Sequence, residues 1–568
     1  MKTKRYTADF ETTTDPDDCR VWAFAICPLD NVDNVMWGNR IDGFFNWLKN
    51  NPGNVIYFHN LKFDGEFILH LLFESEFQFV PSNKNMKKGQ FTALISDKGQ
   101  WYSLEICTDE KKPHTRIYDS LKILPFSVDE ITKAFDLPIC KLKIDYDKYR
   151  EPGYILDQNE IDYVCHDVKI VAMALKILLD QGMNKITQGS NALSDYKSMT
   201  PKFKKWFPVP EYDEDIRQAY KGGVTYLKKG YEGKDIEEGI VFDVNSLYPW
   251  VLAECPLPTG EGKFFKGKYV QDKRYDLYIQ MFKCSFELKE GYMPTIQLKN
   301  NLAFVPTQYL ESSKDDDGVY QQTTLCLTNV DLDLFLEHYD IWDVEWLSGW
   351  KFKSSTGMFK HYVDKWIKIK IQADKDKNKP MRTLAKLMLN ALYGKFGLNP
   401  NVQSKYPYLE NGIVKYQLGP KEKRTPIYIP VAVFVTSWAR KKTIDSAQLL
   451  WDRFIYCDTD SLHIKGWEIP KELDVDPYRL GAWKLESHFV KARFIRQKSY
   501  IEYITCYDEN MERPGTKIHV TCAGLPHNLH HLVNWKNFHA NVIYDGKLTF
   551  KHVKGGVILK STEFTLKG

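Results

Sequence analysis

Apolar and polar residues alternate from Tyr6 to Thr12, which predicts a strand with Asp9 and Glu11 on one face. The run Val55-Ile56-Tyr57-Phe58 predicts a second strand, ending just before Asn60-Leu61-Lys62-Phe63-Asp64. Ile161, Val164, Val168, Val171, Leu175 and Leu178 recur at helical spacing and predict a helix over about 157–180. Asp157 and Glu160 read as its capping box and Gly182 as its stop. Tyr163 and Asp167, four residues apart, fall on one face at the edge of that stripe.

The stretch 181–215, rich in Gly, Ser, Asn and Pro, reads as a linker. Gly239 to Asp243 reads as a buried strand, closed by the turn-rich Asn245-Ser246-Leu247-Tyr248-Pro249. Residues 255–355 read as a strand-rich insertion with loops such as 312–318. A helical region over 359–396 breaks near 374–380. Inside it, 386–395 reads as a strong helix, and Arg382, Lys386, Asn390 and Tyr393 recur at spacings of four, four and three as one polar stripe. Residues 401–426 carry the turn signals of an exposed hairpin. Residues 430–438 read as a strand that passes into a helix through Leu450. Asp458-Thr459-Asp460 forms the tip of a hairpin between two apolar strands, and Lys498-Ser499-Tyr500 reads as strand.

Composition narrows the class. The chain has 568 residues, 43% hydrophobic and 27% charged, with mean hydropathy −0.44. That suits three or four globular domains. No apolar run reaches the roughly 20 residues of a membrane span. The basic opening passes straight into a strand, so no signal peptide is expected. Eleven scattered Cys residues without a Cys-x-x-Cys pair favour reduced thiols over a disulfide framework or zinc site. Net charge is only +4, but residues 360–400 hold ten Lys/Arg against three Asp. Such basic segments interleaved with aromatics suit a phosphate backbone with stacked bases, or else a solvated face.

The acids carry the candidate chemistry. Two carboxylates held against an apolar sheet at 458–460 are tolerated when a divalent cation neutralises them, and two-metal sites use shared carboxylates to clamp attacking and leaving oxygens. Asp243, at the end of a buried strand, is either a cap or a partner of that turn. Asp9, Glu11, Asp64 and Asp167 form a second set able to hold two Mg²⁺ or Mn²⁺ ions, with Tyr163 to orient a water, or else are surface charges that never meet. Tyr220-Lys221-Gly222-Gly223 offers close backbone approach through paired glycines, or is a plain turn.

In this order the motifs resemble those of the protein-primed family B DNA polymerases of small phages, the phage phi twenty-nine type, over essentially the whole length. Asp9-Phe10-Glu11, Asn60 to Asp64 and Tyr163-x-x-x-Asp167 resemble the three exonuclease motifs. Asp243-x-x-Ser246-Leu247-Tyr248-Pro249, Lys386-x-x-x-Asn390-x-x-Tyr393-Gly394 and Tyr456 to Ser461 resemble polymerase motifs A, B and C. Tyr220 to Gly223, Thr436-x-x-Ala439-Arg440 and Lys498-x-Tyr500 resemble the primer- and template-handling motifs.

The resemblance implies an α+β multidomain chain: a right-hand palm, fingers and thumb joined to an N-terminal ribonuclease-H-like 3′–5′ exonuclease. It implies exonuclease over 1–183, palm over 184–254 and 427–525, fingers over 358–398 and thumb over 526–568. Insertions at 255–357 and 399–426 would dock the terminal protein and close a ring around the template, giving strand displacement. The implied roles are metal ligands at Asp243, Asp460, Asp9, Glu11, Asp64 and Asp167, with Asp458 supporting and two Mg²⁺ or Mn²⁺ per site. Tyr248 is implied as a steric gate against ribose. Lys370, Arg382, Lys386, Asn390, Tyr393 and Lys498 are implied at the triphosphate or base. His59, Asn60, Phe63, Ser120 and Leu121 would grip the frayed strand, and Tyr220, Gly222, Gly223, Thr436, Arg440 and Tyr500 the primer and template. The expected partners are DNA, deoxynucleotides and a terminal protein. The expected state is a monomer in the bacterial host cytoplasm. The alternatives are a polymerase using an ordinary DNA primer and a non-catalytic DNA-binding scaffold.

Overall fold

The computed structural model describes residues 3–146, 148–298, 309–507 and 517–568. Its N-terminal part is built on an eight-stranded sheet. Strand Arg5–Thr12 lies inside it, antiparallel to Val21–Pro28 and parallel to Val55–Phe58. The capped helix Gln158–Asp180 packs on this sheet, and Thr7 donates to the Val168 carbonyl at 2.8 Å. The capping box of Asp157 with Glu160 forms as the sequence predicts.

A second eight-stranded sheet carries the later acids. Gly239–Val244 lies between Ser461–Lys465 and Trp483–Arg496, and Phe454–Asp458 lies beyond Ser461–Lys465, next to Thr225–Leu227. The insertion forms a four-stranded sheet of Leu257–Lys266, Tyr339–Ser355, Leu277–Leu288 and Thr323–Thr328, with helix Asn329–His338 against it. Two further hairpins pair only within themselves and pack against the N-terminal part: Asn401–Glu410 with Ile413–Lys423, and Ile543–Val553 with Gly556–Thr565. Among the described residues no helix is long and apolar enough to cross a membrane.

Several local expectations are corrected. The 181–215 stretch is no linker: it forms helices Gln188–Ser198, Phe203–Trp206 and Asp213–Arg217, with Tyr196 and Phe207 in the main core. Its polar composition hid three short helices that are held by packing rather than by propensity. Residues 430–438 are not strand, because Ile429–Leu449 is one helix with Pro430 in its first turn. Its first part, residues 429–437, is buried on every side, so that stretch has no polar face to reveal a 3.6 period. Leu247–Glu254 is a helix rather than the turn that closes the strand; Ser246 enters it at φ 55°. The helix expected over 386–395 divides into Lys379–Ala391 and Tyr393–Phe396.

Candidate functional site

Two acid clusters form, one on each large sheet. In the first, the parallel pairing of Ala8 with Phe58 brings the C-terminal ends of both strands to one edge, with Asp9 and His59 immediately beyond. Helix Leu61–Glu74 starts there and supplies Asp64, which is buried and accepts the Phe10 backbone N–H at 3.2 Å. Helix Gln158–Asp180 supplies Tyr163 and Asp167, both buried. Burial, then repulsion from Asp167, pushes the Asp9 carboxyl up to about 7. Burial followed by neighbouring acids also raises Glu11 and Asp64, and burial raises Asp167. These four acids therefore lie within electrostatic reach of one another rather than apart as surface charges, the arrangement that the resemblance implied and that strand and helix period left open.

Lys141 is the cation in this cluster. Its ammonium bonds the Asp167 carboxylate and donates to the Tyr163 hydroxyl at 3.2 Å. Burial pulls its pKa down, yet Asp167 holds it above the ordinary value. Tyr146 adds a hydroxyl contact to Tyr163 at 2.5 Å. Neither was found from sequence, since Lys141 and Tyr146 lie in an irregular stretch without periodicity or motif.

The residues expected to grip a single strand surround this cluster. His59 bonds Ser120 Oγ at 3.0 Å and the Phe126 carbonyl at 2.7 Å, and Ser120 donates to the Phe58 carbonyl at 3.0 Å. Asn60 sits at φ 75°. Asp119, also missed, accepts the backbone N–H groups of Asn60, Leu61 and Leu121 at 3.0–3.3 Å and fixes both turns. Phe63 packs against Phe67 and against Phe550 of the C-terminal hairpin.

In the second cluster, Ser461 pairs with Asp243 on one side and Asp458 on the other. The Val244 N–H donates to the Asp460 carbonyl at 2.8 Å, locking the turn to the strand end. Thr459 takes φ 58° at the tip, and its carbonyl accepts from Thr443 at 2.6 Å. Burial, then Asp460 and Glu486, pushes the Asp243 carboxyl up to about 8; burial likewise raises Asp460. A Cβ on Gly223 would stand 2.6 Å from Thr459 Oγ1, so this approach requires glycine. Gly222 acts through its carbonyl, which accepts from Arg440 at 2.7 Å.

Lys498 is in the turn after Trp483–Arg496, at φ 57°, rather than on a strand as expected, and its ammonium bonds Asp458. Strand pairing resumes only at Ser499, and the turn is what lets the ammonium reach back to the acid. The adjoining Tyr500 stacks on Phe494. Thr436 and Arg440 are buried rather than presented at a surface. Arg440 is held by Asp331 from the insertion and by the Lys221 and Gly222 carbonyls, so here it fixes the 220–223 loop. Thr436 bonds carbonyls of its own helix. Tyr220 closes on Gly397.

Helices Lys360–Lys375 and Lys379–Ala391 bring the basic stripe to this edge. Burial, then Arg382, Lys386 and Lys484, lowers the Lys370 pKa against the opposing pull of Asp374, the sign of converging cations that one carboxylate only partly offsets. Arg382, Lys386 and Asn390 are exposed on the second helix, Arg382 being paired with Asp374. The helix break at Leu392 sets Tyr393 in a stack with Tyr248, ring centroids 4.1 Å apart.

The donor set fits hard divalent cations. All the candidate donors are carboxylate oxygens, their charged forms are disfavoured by burial and crowding, and Asp167 Oδ1 is buried without a hydrogen-bond partner. Among the described residues no three such donors already share one point, as expected of uncompensated like charges.

Comparison with known proteins agrees with this layout. The family model for DNA polymerase type B, organellar and viral, matches residues 48–476. The chain is 44% identical to the DNA polymerase of Bacillus phage Nf and 43% identical to that of Bacillus phage phi29, covering 100% of each pair. The phi29 DNA polymerase complexed with primer-template DNA and incoming nucleotide substrates superposes with a TM-score of 0.92 over 100% of both chains, at 43% identity. The chain belongs to the organellar and viral type B DNA polymerases, among those of the phi29-type phages.

Proposed function

We propose that this polymerase copies a phage genome from a terminal-protein primer, proofreads with the first acid cluster and displaces the downstream strand. The observation that carries the reading is the pair of separate acid clusters on different sheets, each beside its own set of cationic, amide and aromatic side chains. Asp243 and Asp460 would hold the cations of the polymerising site, with Asp458 fixed beside them by Lys498. Asp9, Glu11, Asp64 and Asp167 would hold those of the exonuclease. Two Mg²⁺ or Mn²⁺ per site, when bound, supply the Lewis acidity that activates the attacking oxygen and stabilises the leaving one.

The chain's own residues do the rest. Lys370, Arg382 and Lys386 would neutralise the triphosphate, and Lys498 the primer end. Tyr393 would lie by the base and Tyr248 would crowd a ribose 2′-hydroxyl. In the exonuclease, Tyr163 would orient the attacking water while Lys141 holds its hydroxyl. His59, Asn60, Phe63, Ser120 and Leu121 would grip the single strand. The 220–223 loop, fixed by Arg440, would guide the primer between the two sites, with Tyr500 under the template side.

The resemblance sets the subdomain limits at 1–183, 184–254, 255–357, 358–398, 399–426, 427–525 and 526–568, and truncation at these limits would test them. Residues 255–357 would receive the terminal protein and 399–426 would encircle the template, in a monomer working in the host cytoplasm.

The deciding experiment is extension of a singly primed circular single-stranded template with Mg²⁺ and no accessory protein. Products longer than one circle are expected. Arrest after one lap would remove the strand-displacement role of 399–426, and no extension by folded protein would remove the reading. Labelling of a protein partner with a deoxynucleotide tests protein priming separately.

A further inference from the structure

We propose that Glu66 is a clasp: one buried carboxylate that ties the 401–423 hairpin and the C-terminal hairpin to the exonuclease sheet, keeping the polymerase closed around its template. The inference rests on the replicase reading above.

Glu66 belongs to helix Leu61–Glu74, two residues after Asp64, and is 3% exposed. Its two oxygens serve two other parts of the chain. Tyr416, on strand Ile413–Lys423, donates its hydroxyl to Oε2 at 2.7 Å. His552, on strand Ile543–Val553, places Nε2 3.1 Å from Oε1. The Tyr416 and His552 rings also meet, with centroids 5.9 Å apart. The bond to Glu66 raises the His552 pKa against burial and the nearby Lys62 and Lys405.

The surroundings are built as a seat. Val414 of one hairpin and Val553, Val557 and Ile558 of the other are buried in the same apolar cluster as Phe67 and Trp101. At the C-terminal hairpin tip, Gly555 has φ 97°, and a Cβ there would stand 2.1 Å from the Cys19 carbonyl oxygen. Elements some 350 and 486 residues distant from Glu66 thus converge on one carboxylate. Loss of one partner leaves the charge buried and under-satisfied, so the two hairpins are held or released together.

Glu66 touches neither cluster's reacting atoms, so it is a positioning residue. An encircled strand escapes only at an end or through an opened ring. Clasp strength therefore enters the lifetime on DNA and leaves the rate of each nucleotide addition unchanged.

The test uses the full chain on a primed circle, with a heparin trap added together with nucleotides and Mg²⁺, so that each product reports one binding event. Glu66→Gln, His552→Gln and Tyr416→Phe are compared with the unaltered chain. We expect single-nucleotide addition on a short linear primer-template to be unchanged. Product length per binding event should fall about tenfold in Glu66→Gln, which corresponds to about 1.4 kcal/mol. The double variant Glu66→Gln/His552→Gln should lose no more than Glu66→Gln alone, because both remove one shared interaction. Unchanged product length in a folded Glu66→Gln, or additive losses in the double variant, would overturn the clasp. Should Glu66→Gln fail to fold, Tyr416→Phe removes a single hydroxyl and decides alone: shorter products with an unchanged melting temperature support the clasp, and full-length products overturn it. A loss of the replicase reading looks different, since the unaltered chain would then fail on the short linear template, and the clasp role would fall with it.

Discussion

The Lys498 ammonium stands 2.6 Å from one carboxylate oxygen of Asp458 and 2.8 Å from the other. Thr225 donates to the same carboxylate at 2.9 Å. Asp458 is thus fixed and neutralised by protein donors, whereas burial pushes up the carboxyls of Asp243 and Asp460. The three acids of one turn and one strand end thus differ: one is neutralised by protein donors, and the other two have their charged forms disfavoured by burial. A lost charge-assisted bond costs about 1.5–3 kcal/mol when buried, and Lys498 is half exposed. Lys498→Ala should therefore slow nucleotide incorporation about tenfold. Digestion of single-stranded DNA should stay at its original rate; equal losses in both assays would contradict the separation of the two sites.

Asp243→Ala or Asp460→Ala should reduce incorporation by at least about a thousandfold, as expected when a principal electrostatic group is removed. The exonuclease should survive both changes, since the first cluster lies on another sheet. Asp9→Ala combined with Glu11→Ala should do the reverse. Primer extension and digestion of a labelled single strand, run on the same preparations, check both directions, and a folded variant of either kind lacking both activities refutes two independent sites.

The pH dependence follows from Asp243. Its folded carboxyl, at about 8, lies above the ordinary value of about 3.9 in an unfolded chain. The metal-free folded protein therefore binds a proton that the unfolded chain has released, and this contribution to stability is full below about pH 4 and declines as pH rises toward 8. In EDTA the melting temperature should be lower at pH 8 than at pH 6, and Asp243→Asn should flatten that slope. Added Mg²⁺ should raise the melting temperature more at pH 8 than at pH 6, because fewer of the Asp243 carboxyls then hold a proton that the cation must displace. A Mg²⁺ shift independent of pH would count against the site.

Lys141→Met removes the cation that bonds Asp167 and the Tyr163 hydroxyl. Digestion should fall about ten- to a hundredfold, the range of one lost charge-assisted contact, while incorporation on matched primers is unaltered. Unchanged digestion would reduce Lys141 to a bystander.

Tyr248 stacks on Tyr393 at 4.1 Å and sits beside the acid turn. Tyr248→Val should raise ribonucleotide incorporation relative to deoxynucleotide by about tenfold or more, the scale of one removed steric contact. Competition between the two nucleotide types at a single template position measures it directly.

The sequence by itself determined the addresses of the chemistry. Alternation set Asp9 and Glu11 on one strand face, the capping box placed Tyr163 and Asp167 on one helix, and two apolar runs framed Asp458-Thr459-Asp460, because strand period, helix period and turn chemistry act over a few residues. Local signals were absent or misleading in two places: the first half of helix Ile429–Leu449 is buried on every side, and three short helices sit within a polar 181–215 stretch. Only the tertiary structure decided which addresses meet. Asp243 comes beside Asp460 because strands more than 200 residues apart in the chain pair, Asp243 with Ser461. Lys141 reaches Asp167, Asp331 reaches Arg440, and Glu66 gathers Tyr416 and His552. Such meetings depend on sheet order and long-range packing, which leave no period in the chain, and on the cost of burying a charge alone, which acts only once the fold has closed around it.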